Sequence, residues 1–394
     1  MAQKKISFYY KNICEDIIGS EHGISQSQLD DLAKKTGPAI EEVNRQRKAG
    51  IIPYRDLPYR KDYPKQVKEA ARQIRGECEN FVVLGIGGSA LGNIALQTAL
   101  NPYLYNIDSR QRKGPRLFVF DNVDPLQFGG FLDWIDGQLD KTIFNVISKS
   151  GQTAETAAQF LVIRKILMDR LGPEGYKQRI VATTNASKGT MQAITSEAGF
   201  RSLEVPDGVG GRFSVLSPVG LLSAAVCGID IDALLAGAAA MDKRVSETDF
   251  FANPAAVNAA IQRHYYQRGK RISVMMPYSY ALKDLSDWYR QLWAESLGKR
   301  TDLDGRQVFV GPTPVKALGA TDQHSQVQLY REGPNDKVFT FLQVDDFGRD
   351  VVMGDCPLSA PELGYLAGAS MAKLLNAAPR VALAFAKKVD LQAG

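Results

Sequence analysis

Two doubly wound α/β domains are predicted for this chain of 394 residues, each an αβα sandwich built on a mainly parallel sheet. Three observations predict them. From Phe81 onward, short apolar runs alternate with helical patterns, the rhythm of a parallel sheet covered on both faces. A second alternation begins after a helical stretch at 231–268. The length is that of two ordinary domains.

The elements follow in order. Residues 1–50 are polar, mostly helical in pattern, and end in the basic stretch Arg45 to Lys48, so a separate N-terminal helical segment is expected. An irregular strap follows, with prolines at 53, 58 and 64. Strands are expected near 81–84, 116–120, 143–148, 179–184 and 202–205, which makes 51–235 the first domain. In the second, 236–394, strands are expected at 271–279, 307–312 and 337–344, with a helix from Leu285 to Leu297 between the first two.

A hydrophobic fraction of 44% with 23% charged residues is that of a soluble globular protein. The net charge of +5 is spread along the chain. It helps draw in an anionic metabolite but lacks the clustered patch of a nucleic-acid binder. Cys14, Cys78, Cys227 and Cys356 are far apart and have no metal-ligand spacing, which fits a reducing compartment. The N-terminus shows no apolar targeting core and no apolar run approaches membrane-spanning length. A cytoplasmic protein without a membrane partner is expected.

Two turns rich in glycine and hydroxyls stand directly behind apolar strands. In the first, GIGGSALG, Gly88 and Ser89 precede a helical pattern. Three readings fit it: an anion-binding turn, a glycine turn needed only for helix–sheet packing, and a dinucleotide site. The last would want its acidic residue about 20 positions on, and Asp121 comes later than that. The second, SKSGQTAET, sets Ser148, Lys149, Ser150 and Thr153 at the start of a helix. Simple N-capping accounts for one hydroxyl, with Glu155 favoured in the first turn. The whole cluster, with an ammonium and a helix N-terminus, suits a phosphate dianion.

Three further groups carry reactive chemistry. Arg212 follows the glycine turn of GVGGRFSVLSP, where an arginine can hold a developing oxyanion; a surface arginine on a mobile loop fits equally. Trp288, Leu292 and Glu295 share one side of a helix, with Gln291 one turn before Glu295 and Gly298 as C-cap. A carboxylate at the edge of that apolar stripe is suited to act as a base, because desolvation raises its proton affinity; a boundary glutamate paired with Lys299 or Arg300 is the alternative. His324 follows a Gly/Thr/Asp turn and is flanked by Gln323 and Ser325. A lone histidine is usually structural, but this is an unusual place for a core residue. His22 and His264, in a polar loop and a basic helix, read as solvated.

Taken in order, GIGGSALG, SKSGQTAET, GVGGRFSVLS, QLWAESLGK and the Gln323–His324 pair resemble the motifs of the phosphoglucose isomerase (glucose-6-phosphate isomerase) family, which is built from two sugar-isomerase (SIS) domains. The resemblance runs from about Tyr54 to about Leu375. It implies that Ser148, Lys149, Ser150 and Thr153 bind the sugar phosphate, with Gly88 and Ser89 lining the same pocket. It further implies Glu295 as the base carrying a proton between C2 and C1 through a cis-enediol, and Arg212 as the stabiliser of the enediolate. His324 would assist ring opening and Gln291 would position substrate. A homodimer with the active site at the subunit interface, and no metal or organic cofactor, complete the expectation.

One departure accompanies it. Members of the family continue past the position matching Gly394 through a further strand and helices, with a lysine that helps in ring opening. Lys387 and Lys388 do not lie in that motif, so a C-terminally truncated second domain is expected. The function implied is interconversion of glucose 6-phosphate and fructose 6-phosphate in glycolysis and gluconeogenesis. The alternatives are a non-catalytic phosphosugar-binding module and the isomerase fragment of a bifunctional transaldolase/isomerase. Glu295 and His324 separate the first from a pure binder, which needs neither a base nor a ring-opening group.

Overall fold

The run Phe81-Val82-Val83-Leu84 sends alternate side chains to opposite faces of a strand, and in the computed structural model, which describes residues 6–379, both faces are covered. Phe81 and Val83 pack with Val67 and Ile74 of the helix Asp62–Glu77 and with Leu221 and Leu222 of the helix Pro218–Val226. Val82 and Leu84 face Phe128 and Phe131 of Pro125–Ile135, and Phe160 and Ile163 of Ala154–Arg179. Strands buried on both faces need apolar residues at every position, which is why these segments read as continuous runs.

The strands are β1 (Asn80–Leu84), β2 (Arg116–Phe120), β3 (Thr142–Ile147), β4 (Ile180–Thr184) and β5 (Arg201–Glu204). They form one parallel sheet in the order β2-β1-β3-β4-β5. Leu84 at the end of β1 pairs with Phe120 on one side and Val146 on the other. The winding therefore reverses between β1 and β3. At such a reversal the two following turns diverge to opposite faces and leave a crevice beyond the carboxyl ends of the strands.

The chain divides into two compact units. Val43–Lys243 holds the five-stranded sheet, and the described parts of Met1–Glu42 and Arg244–Gly394 make up the other. The division at 243/244 lies within the helix Ile231–Val245, a few residues past the boundary expected near 235. The N-terminal region does not stand apart as expected. Leu29 and Ile40 of the helix Gln26–Lys48 need an apolar partner, and they pack with Val257 and Ile261 of Pro254–Gln267 and with Val338.

In this second unit, β6 (Ile272–Pro277) lies between two parallel neighbours. β7 (Lys299–Thr301) and β8 (Gln307–Val310) instead pair antiparallel as a separate ribbon. The sheet is completed by β9 (Thr313–Lys316) and β10 (Lys337–Leu342), in the order β10-β6-β9. The expected strand 307–312 is therefore not part of the parallel sheet. All four residues of β8 are exposed, Phe309 at 71%. The chain turns at Gly311–Pro312 before Val315 enters the core beside Val274. An apolar run alone does not say which strand is buried. Lys387, Lys388 and the lysine-bearing segment implied past Gly394 lie outside the described residues. Among the described residues, no helix is long and apolar enough to cross a membrane.

Candidate active site

The turn after β3 is held by its own hydroxyls and by close backbone approach. Ser148 is buried, and its Oγ accepts from the Gly151 N–H at 3.0 Å. Ser150 Oγ accepts from Gln152 N–H at 3.2 Å. Thr153 is the N-cap of Ala154–Arg179 yet makes no side-chain capping bond, so capping does not account for its hydroxyl. Gly151 has φ +77° and lies so near the next turn that a Cβ would stand 2.2 Å from Met191 N; only glycine fits. The Thr190 N–H donates to Ser150 O at 2.9 Å, and Thr184 Oγ1 to Ser148 O at 2.8 Å. The turns after β3 and β4 thus interlock.

Between them lies a cavity of about 560 Å³. Ser89 lines it from the first turn, Ser148, Lys149, Ser150 and Thr153 from the second, and Asn185 and Lys188 from the third. Of the groups expected to contact the sugar phosphate, Gln291, expected to position substrate, belongs to the other unit, and Gly88, expected to line the pocket, is not in the cavity wall. Gly88 serves a different contact: a Cβ there would fall 2.1 Å from the Gly211 carbonyl carbon, so the GIGGS turn lies against the loop that carries Arg212. Asn93 pins that turn from behind, its Nδ2 donating to Ser89 O at 2.8 Å and Val219 O at 3.1 Å. Half-buried Arg212 lies over the Phe213 ring at 4.7 Å, and Phe213 stacks on Tyr54 at 4.4 Å.

Hydroxyls, ammonium groups and the starts of the helices Ala154–Arg179 and Thr190–Ala198 meet at this cavity. That donor set favours an anion. At its mouth, Lys188 and Lys149 approach Asp207. Desolvation pushes the carboxyl of exposed Asp207 upward, but Lys188 and Lys149 outweigh it and hold its pKa below the ordinary carboxylate value. Sequence reasoning missed Asn185, Lys188 and Asp207. The signal for the first two was present, since TTNASKG, which begins at the end of β4, repeats the pattern of an apolar strand ending in a hydroxyl-, lysine- and glycine-bearing turn.

In the second unit, the helix Lys283–Leu297 ends with the Gly298 N–H donating to Ala294 O at 2.9 Å. Gln291 Nε2 donates to Glu295 Oε1 at 2.9 Å. Glu295 is exposed. The helix is rotated so that Ser286 is its buried residue, Tyr289 bonds Ser273 of β6 at 2.9 Å, and Trp293 packs on Tyr289. Trp288 and Leu292 are only partly buried. His324 is exposed on the first turn of Thr321–Glu332. His264 is half-buried and edge-on to Tyr265, with burial and Arg268 lowering its pKa, rather than solvated. Burial pushes the thiols of Cys78 and Cys227 up to about 12.

The profile of phosphoglucose isomerase matches residues 61–344. The chain belongs to the phosphoglucose isomerase family. A glucose-6-phosphate isomerase of Carboxydothermus hydrogenoformans is 43% identical over 371 residues, 93% of this chain and 79% of that protein. One of Rubrobacter xylanophilus is 42% identical over 94% of this chain and 82% of its own length. A hypothetical protein of Thermus thermophilus with a solved structure superposes with a TM-score of 0.80 at 34% identity, covering 92% of this chain and 84% of that one. In this family member, the turns after β1 and β3 stand at the switch point of the first sheet, and the turn after β4 joins them in lining the cavity.

Proposed function

We propose that this chain is an aldose–ketose isomerase that interconverts glucose 6-phosphate and fructose 6-phosphate, a step of glycolysis and gluconeogenesis in the cytoplasm. The observation that carries the reading is the hydroxyl- and lysine-lined cavity at the switch point of a phosphoglucose isomerase family member. Ser89, Ser148, Lys149, Ser150 and Thr153 hold the phosphate, with Gly88 supplying close backbone approach. Binding energy from this unreacting end orients the carbonyl end.

Chemistry at that end needs one base for two adjacent carbons. Glu295 takes the proton from C2 of the open-chain aldose and the electron pair moves onto O1, giving the cis-enediolate, the ionised cis-enediol. The proton of the C2 hydroxyl passes to O1, and the same carboxyl returns its proton to C1 as the C2 oxygen becomes the ketone. Arg212 offsets the negative charge on the enediolate oxygens. His324 assists ring opening, Gln291 positions substrate, and the working form is a homodimer.

The test is isomerisation of fructose 6-phosphate in deuterated solvent by the purified chain. Formation of glucose 6-phosphate with solvent deuterium at C2 supports the proposal. Phosphosugar binding without isomerisation or exchange by the wild-type chain would leave it a non-catalytic binder.

A further inference from the structure

Lys149 and Lys188 both line the cavity, and both reach one carboxylate that does not. Lys149 Nζ is 3.6 Å from Asp207 Oδ1 and Lys188 Nζ is 3.5 Å from Oδ2. Lys149 Nζ also donates to Pro206 O at 3.2 Å. A buried side chain organises the group. Asn185, only 3% exposed, accepts from the N–H groups of Ser187 and Lys188 at 3.0 Å each, which folds the turn that presents Lys188. Its Nδ2 donates to Asp207 Oδ1 at 2.9 Å. One amide therefore sets both the lysine-bearing turn and the carboxylate.

Two ammonium groups sharing one carboxylate leave positive charge at a mouth already lined with hydroxyls and helix starts. Ion pairs between exposed groups are weak. A phosphate dianion brings a second charge and three acceptor oxygens, and competes well for both lysines. We propose that Asp207 is a resident counter-anion that holds Lys149 and Lys188 at the cavity mouth and yields them to the phosphate of the incoming sugar, so that Lys188 is a phosphate-binding residue. The inference rests on the reading of the cavity as the phosphate site.

Opposite signs follow for the two partners. Inorganic phosphate is titrated calorimetrically into the full chain at neutral pH and low salt. Lys188→Gln weakens phosphate binding by about fivefold, and Asp207→Asn, whose side-chain oxygen still accepts from Asn185, tightens it by about fivefold. The Lys188→Gln/Asp207→Asn double variant loses that gain. Asp207→Ser, which also keeps an accepting oxygen, repeats the measurement if the asparagine variant misfolds. Weaker or unchanged phosphate binding on removal of the Asp207 charge overturns the proposal. If the wild type isomerises fructose 6-phosphate but the Asp207 variants gain nothing, only this inference falls. If the wild type neither isomerises nor binds phosphate, the reading of the site falls with it.

Discussion

In Val43–Lys243, Ser89, Ser148, Lys149, Ser150 and Thr153 line a cavity whose walls are locked backbone to backbone, whereas in the other unit Glu295 and His324 are exposed on helix surfaces. The sheets differ in the same sense. Every residue of β1, β3 and β4 is buried, while β9 and β10 are only partly covered. A site for a fixed, fully charged group gains from rigid donors placed before the ligand arrives. A base that must serve two carbons gains from a side chain able to move between them. Under the proposed function, the contrast follows a division of labour between anchoring and proton transfer.

The sharpest break in that comparison is Glu295→Gln. It lowers isomerisation by about a thousandfold and abolishes C2 proton exchange, while calorimetric binding of inorganic phosphate stays at the wild-type value. Parallel loss of phosphate binding would show that the two functions are not separable.

Rigidity of the first unit is next. Asp242 is buried and accepts from Arg47, from Arg55 at 2.9 Å and from the Tyr59 hydroxyl at 2.9 Å. Asp242→Ala leaves the Arg55 guanidinium, 8% exposed, without that charge partner and costs about 3–5 kcal/mol. Chemical denaturation monitored by circular dichroism reads the change. A cost below about 1 kcal/mol would place the pair with exposed ion pairs.

The Ser148→Ala/Thr153→Ala double variant raises KM for fructose 6-phosphate by about a hundredfold, since hydrogen bonds to a charged group are worth about 1.5–3 kcal/mol each. Its kcat falls far less. The same rise for unphosphorylated fructose would remove the phosphate assignment. The smallest effect belongs to the platform under Arg212. Phe213→Leu removes the ring beneath the guanidinium and lowers kcat about threefold with KM nearly constant. A fall in KM affinity alone would point to packing rather than to the transition state.

Much of the first unit was legible because its signals are local. An apolar run such as Phe81–Leu84 declares a strand, and a glycine- and hydroxyl-rich turn behind it declares where a backbone can cradle an anion. The C-cap at Gly298 was equally local. Reading failed where the outcome depended on a distant partner. QVFV at 307–310 is as apolar as a core strand, yet TPVK at 313–316 pairs with β6. Glu295 shared a helical stripe with Trp288 and Leu292, yet Tyr289 rather than that stripe meets Ser273.

From the amino-acid sequence alone came the alternation of strands and helices, the hydroxyl turns and the family motifs, because each is written within a few consecutive residues. Tertiary structure alone decided that the turns after β1, β3 and β4 share one cavity and that Asn185 and Lys188 join Ser148 there. It alone set which face of Lys283–Leu297 turns inward. Strand order and helix rotation are settled by packing between segments far apart in the chain, and no local pattern carries that information.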